Sequence, residues 1–290
     1  MLSTRPIVRH VYPTACKTMP LPPGLGDFLR GSIAIAHHAL DLGFDLKIDF
    51  SGHPIHGYLD PAHRFTADAD HLPGFDEYFD ADATLVYERL DALQRGDRIA
   101  VCTNLMPHPS RITRAVCQLV ASQFVLGAGV KGVSSALQRS LSDQPYAALH
   151  IRVVDDDLHA PRALTPALCR AIEAQVLERW APQVVVLSNN RALKEALCKR
   201  YDLTFIDTQA VHLGKPTHAS GVQDTLVDFD LLASAGAVFS HSDYGWSSGF
   251  STWAATLSGA PFARLVLPQR RPAPAWLPRL VKGARRSLGF

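Results

Sequence analysis

Between Tyr146 and Asp157 the chain reads YAALHIRVVDDD, an apolar run that ends in His150, Arg152 and three adjacent aspartates. Side chains along a strand point alternately to opposite faces, so Ala148, His150 and Arg152 share one face and Ala147, Leu149 and Ile151 the other. Ligands of open α/β sheets sit beyond the carboxyl ends of the strands, where a guanidinium fork matches a phosphate or carboxylate. Surface charge at a strand end is the plainer account of the same residues. Asp155, Asp156 and Asp157 would suit a hard divalent cation held against a nucleotide diphosphate, but Arg152 already supplies positive charge there.

Two further stretches carry chemistry. PPGLGDFLRGSIAIAHHAL, Pro22 to Leu40, sets Gly24 and Gly26 before a helix, an arrangement that lets backbone N–H groups approach a phosphate, sugar or other anion. Asp27 reads two ways: as the N-cap of a helix beginning at Phe28, or as a general base on an acceptor hydroxyl. SHSDYGWSSGFSTWAATLSGAP, Ser240 to Pro261, runs strand, Gly- and Ser-rich turn, helix, and its hydroxyls and amides suit a phosphate. Gly245, Ser247 and Gly249 spell the GxSxG of a nucleophile elbow, but no Asp, Glu or His follows Ser247, so the acid and histidine of a hydrolase triad are missing. His53, His56, His63 and His71 fit no metal-ligand spacing and read as solvated loop histidines.

Alternating strands and helices must position these residues. In the second half, strands are expected at Tyr146–Val153, Val184–Ser188, Leu203–Ile206, Ala237–Ser240 and Phe262–Leu267. Helices are expected from Thr165, as N-cap, to Trp180, then at Arg191–Arg200, Val222–Ala235 and Phe250–Leu257. The first half repeats the theme less regularly: strands near Ile7–Val11, Asp45–Phe50 and Ile99–Thr103, and helices near Phe28–Leu42, Arg111–Leu126 and Val133–Leu141. His53 to Asp82 reads as loop and short helix. The expected fold class is α/β, two Rossmann-like halves with a cleft between them, divided as 1–143, 144–268 and a basic tail 269–290.

The 290 residues are 47% hydrophobic and 19% charged, enough for real cores. The net charge is +2, yet residues 269–290 hold six cations (Arg270, Arg271, Arg279, Lys282, Arg285 and Arg286) and no acid, so the body is net acidic and no nucleic-acid partner is expected. With Trp276, Leu277, Leu280 and Val281 among those cations, the tail offers peripheral contact with an anionic membrane face; a solvated tail or a helix packed back on the body fits the composition as well. Five scattered cysteines (Cys16, Cys102, Cys117, Cys169 and Cys198) and no apolar run of signal-peptide or membrane-spanning length give a reducing cytoplasm as the expected compartment, with the inner membrane face as the site of any peripheral contact.

Taken in order, GLGDFLRG, HIRVVD and DFDLLASAGAVFSHS…SSGFSTWAA resemble the fucosyltransferase superfamily of the GT-B fold, which includes the protein O-fucosyltransferases and bacterial α1,2- and α1,6-fucosyltransferases. The motifs span Pro22 to Pro261. The resemblance implies inverting, metal-independent transfer of fucose from GDP-fucose to a hydroxyl of a glycan or other acceptor, with no cofactor and with the donor on the second half. His150 and Arg152 match the family's HxR, whose arginine neutralises the leaving diphosphate. Ser248, Phe250 and Ser251, with Ser247 before them, match its phosphate-lining SSFS turn. Asp228 falls near an acid that pairs with guanine, and Asp27 stands where relatives carry Asn. The chain departs from the pattern at Val154, where HxRxGD has glycine, at Gly249 within the serine turn, and at an apparent insertion from Asp243 to Trp246. A non-catalytic nucleotide- or glycan-binding module on the same fold, and a metal-dependent transferase using Asp155 to Asp157, are the alternatives.

Overall fold

The computed structural model describes residues 5–13, 22–65, 73–77, 83–141, 144–154, 164–214 and 218–268. Asp155 to Asp157, Cys16, His71 and the basic tail lie outside them. The described chain forms two parallel four-stranded sheets.

The first sheet is built from β1 (Ile7–Val11), β2 (Asp45–Asp49), β3 (Gly74–Glu77) and β4 (Arg98–Thr103), in the order β2-β1-β4-β3, with helices α1 (Leu25–Leu42), α2 (Ala83–Asp91), α3 (Arg114–Ala121) and α4 (Ala128–Leu141). The second holds β5 (Ala147–Arg152), β6 (Val184–Ser188), β7 (Ala237–Ser242) and β8 (Phe262–Arg264), in the order β6-β5-β7-β8. Its helices are α5 (Pro166–Ile172), which continues through a π-helical turn at Glu173–Leu177 into α6 (Glu178–Trp180), then α7 (Arg191–Tyr201), α8 (Ala219–Ala233) and α9 (Gly249–Ser258). β5 and β6 are near-continuous Val, Ile, Leu and Ala because helices cover both faces of a parallel sheet. Thr165 caps α5 through its hydroxyl and Pro166 opens the helix, as the sequence predicts.

One apolar core runs through both halves, joining Val8, Phe28 and Val101 of the first to Ala148, Phe229 and Trp253 of the second; a smaller cluster around Leu149, Ile172 and Val186 fills the outer face of the second sheet. α1 meets α9, and α4 meets α8, where Lys131 Nζ lies 2.6 Å from Asp230 Oδ1. α1 and α9 meet backbone to backbone at glycines. A Cβ on Gly26 would stand 2.7 Å from both the Gly249 carbonyl carbon and the Phe250 nitrogen. Gly26 therefore admits the start of α9, and it also lines the cleft described below. Gly26→Ala is expected to push the two helices apart and cost about 1–3 kcal/mol of stability, read as a lower midpoint in urea denaturation.

Several boundaries moved, each for a local reason. α1 starts at Leu25, with Gly24 in the N-cap position and no side-chain cap, because Leu25 is itself drawn into the core. Asp27 is thus inside the first turn and is not the cap. Thr113 delays α3 to Arg114 by accepting the Val116 amide. Leu203 to Ile206 is no strand: Asp202 ends α7 in the left-handed region, and the Leu203 amide bonds back to Cys198. Leu203 and Ile206 are buried as packing for the two clusters. The segment read as loop and short helix contains, besides two 3₁₀ turns, β3 at the sheet edge; α2 after it escaped the sequence reading altogether. His53 is not a solvated loop histidine. It is buried 4.1 Å from Tyr12, ring to ring, and burial pushes its pKa down to about 3, so it is neutral.

Candidate active site

A cleft of about 240 Å³ opens where α1, α9 and the carboxyl ends of β5 and β7 converge. β5 delivers His150 and Arg152 to its wall. They sit opposite Ser240 and Ser242 of β7, so the alternation of the strand puts this face at the cleft while Leu149 and Ile151 enter the outer core. Asn189, following β6, holds the chain beyond Arg152 by accepting the Val153 amide and donating to its carbonyl, both at 2.9 Å. His150 is buried 5.8 Å from the Phe250 ring, and burial, then the neighbouring Arg152 charge, lower its pKa to about 3. It is a neutral imidazole whose buried Nδ1 has no hydrogen-bond partner among the described residues. Arg152 is half-buried, its guanidinium carbon 5.9 Å from the Tyr244 ring centroid.

The turn after β7 brings Tyr244, Trp246, Ser248, Gly249 and Phe250 to the same wall. Ser248 occupies the N-cap position of α9, but its side chain makes no cap hydrogen bond, and the ten-residue helix directs its amino end at the cleft. The opposing wall is the start of α1, Gly24 to Asp27. His10, buried in β1, fixes that helix: Nδ1 meets Ser32 Oγ and Nε2 the Thr103 carbonyl, each at 2.9 Å, and the ring stacks on Phe28 at 4.4 Å. The Asp27 carboxylate lies 3.2 Å from Arg30, which also donates to the Asn104 carbonyl at 2.7 Å. Desolvation raises the Asp27 pKa above the ordinary carboxylate value, opposed by Arg30 and then His212. The cleft therefore brings together a cation, a helix amino end and a carboxylate of raised basicity.

No family model matches the sequence, and no curated protein matches it. Solved structures do match. NodZ α-1,6-fucosyltransferase soaked with GDP-fucose aligns over 88% of this chain and 93% of its own, with a TM-score of 0.54 at 16% identity. NodZ from Bradyrhizobium covers 87% and 91%, with a TM-score of 0.51 at 17% identity. A mutant of Arabidopsis thaliana FUT1 in complex with GDP covers 94% of this chain and 72% of its own, with a TM-score of 0.56 at 14% identity. The chain has a GT-B fucosyltransferase-like fold.

Within this fucosyltransferase-like fold, Gly24, Gly26, Asp27, His150, Arg152, Ser248 and Phe250 share the cleft. Three other residues expected there do not line it. Asp228 is fully buried: its Oδ1 accepts the Thr208 hydroxyl at 2.6 Å, and Lys194, equally buried, bonds Thr208 through both its carbonyl and its hydroxyl. Burial lifts the Asp228 pKa to about 6 against the pull of Lys194 and Thr208. This carboxylate belongs to an internal network, away from the cleft lining. Ser251 is buried beneath the turn, 3.0 Å from Ser240 Oγ, and tethers α9 to β7; Ser247 is half-buried outside the cleft lining.

Sequence reasoning missed Asn189, Tyr244, Trp246 and the segment Ala210 to Leu213. His212 is the informative one: its Nδ1 accepts the Gly214 amide at 3.2 Å, and its ring stands close enough to Asp27 to act on that carboxylate. Asn189 had a signal, the polar pair that stops β6. His212 had none, because only folding brings the α7–α8 connection across to Gly24. Among the described residues no three His, Cys, Asp or Glu side chains are grouped to hold a metal ion, and no helix is long and apolar enough to cross a membrane.

Proposed function

We propose that the protein is an inverting, metal-independent glycosyltransferase that moves a sugar, fucose from GDP-fucose, to a hydroxyl of a glycan or other acceptor. The observation that carries this reading is the opposition of Arg152 and the amino end of α9 to Asp27 across one cleft. In the single displacement, the acceptor oxygen attacks the anomeric carbon from the face opposite the diphosphate, its proton passes to the Asp27 carboxylate, and the glycosidic electron pair leaves on the β-phosphate oxygen. Negative charge develops there, and a fixed guanidinium with oriented amides stabilises it more than it stabilises the intact donor. Attack from the far face inverts the anomeric configuration. The donor binds on the second half and the acceptor mostly on the first, with His150 as a neutral imidazole beside the phosphates. Tail contact with the inner membrane face belongs to the same proposal.

The test is a thermal-shift screen of nucleoside diphosphates and nucleotide sugars, each with Mn²⁺ and with EDTA. A ligand at about 100 times its Kd stabilises the native state by about 2.7 kcal/mol. GDP and GDP-fucose are expected to raise Tm equally under both metal conditions, and UDP to leave it unchanged. Stabilisation by UDP, or only with Mn²⁺, would replace the donor or the metal-independent mechanism.

A further inference from the structure

The turn between β7 and α9 carries two aromatic side chains that the donor chemistry leaves unused. Tyr244 and Trp246 stack with ring centroids 5.4 Å apart and 28° between planes. Both line the cleft, and Trp246 is 66% exposed. The turn beneath them is pinned from several sides. Arg264 Nη2 donates to the Gly245 carbonyl at 2.9 Å, the Asp243 amide to the Arg152 carbonyl at 3.1 Å, and the Tyr244 amide to Ser242 Oγ at 3.3 Å. Gly245 itself, at φ 80°, takes the left-handed turn that sets Trp246 apart from Tyr244 along the chain and yet over it in space. A ring surface already held in place costs a ligand little ordering when it stacks.

We propose that Tyr244 and Trp246 form a stacking subsite for a pyranose ring of the acceptor, an inference that rests on the transferase reading above. One face of a pyranose presents C–H groups with partial positive hydrogens, complementary to the negative π face of an indole or phenol. Its hydroxyls project around the edge and stay in water at an exposed rim. A purine also stacks on such rings, and the GDP affinity of Trp246→Ala separates the two. The pair lies at the mouth of the cleft, beside Arg152, where a sugar whose hydroxyl reaches the anomeric carbon would rest while the remainder of a glycan continues into solvent.

The experiment measures acrylamide quenching of tryptophan emission in the full chain, with lactose, cellobiose and maltose as probes, with and without saturating GDP. The signal of Trp246 is obtained by difference from Trp246→Phe, and affinities are measured by calorimetry. At least one disaccharide is expected to shield Trp246. Trp246→Ala should weaken that sugar about tenfold and Trp246→Phe about threefold or less, while GDP affinity stays within about twofold in both. The subsite is overturned if no probe shields Trp246 in the GDP-loaded protein, or if Trp246→Ala weakens GDP more than the sugar. If GDP fails to bind while a disaccharide still shields Trp246, the donor reading falls and the subsite stands.

Discussion

Arg152→Ala is expected to weaken GDP binding by about 2–5 kcal/mol, the range for truncating one partner of a hydrogen-bonded charge pair, and to abolish measurable transfer. The residue ends β5 at a cleft wall made by the amino end of α9, and among the described residues no other Lys or Arg lines that cleft. The chemical step should suffer beyond binding, because charge grows on the departing phosphate; loss of one such donor costs about 10²–10³ in rate. Arg152→Lys keeps the charge but loses the planar fork, so an intermediate defect is expected. The fold should survive, since the Asn189 side chain holds the backbone after β5 at Val153. Calorimetry with GDP and a GDP-release assay check both. Wild-type GDP affinity in Arg152→Ala would remove the donor from this end of β5.

Asp27→Asn is expected to lower kcat about 10²–10⁴-fold while GDP affinity holds within about twofold, since a general base acts on the acceptor proton and not on the nucleotide. Asparagine keeps the shape and one acceptor oxygen of the side chain and removes its basicity. Two features of Asp27 make the test informative: Gly24, not Asp27, occupies the N-cap position, and the carboxylate is 39% exposed toward the cleft. The pH dependence follows with a definite sign. Desolvation raises the folded-state pKa above that of an ordinary aspartate. The base is therefore protonated and inactive at low pH, and the acid limb of kcat/KM should lie above the ordinary carboxylate range. That limb should vanish in the asparagine variant, together with most of the activity. Full activity in Asp27→Asn would leave Asp27 as an ion-pair partner of Arg30.

The part of the site legible in the sequence was the part built from contiguous residues. HIR at the end of an apolar run gives His150 and Arg152 on one face because the strand period is two, and the strand-turn-helix around Ser248 is equally local. Asp228 lies off the cleft lining, because order along the chain locates a residue but not the direction its helix turns it. On α8 it faces inward to Thr208 and Lys194, whose shared burial no spacing announces. His53 misled for the converse reason: polar neighbours suggested solvent, while Tyr12 and Phe50, which follow two separate strands, enclose it.

By itself, the sequence determined the alternation of strands and helices, and with it two parallel sheets whose carboxyl ends carry the chemistry, because periodicity and caps act within a few residues. Only the tertiary structure decided that α1 and α9 touch at Gly26 and Gly249, that Asp27 and Arg152 share one cleft, and that Tyr244, Trp246 and His212 complete it. These pairings join residues more than a hundred positions apart. They depend on how two helix-covered sheets share one core, and no local pattern encodes that distance.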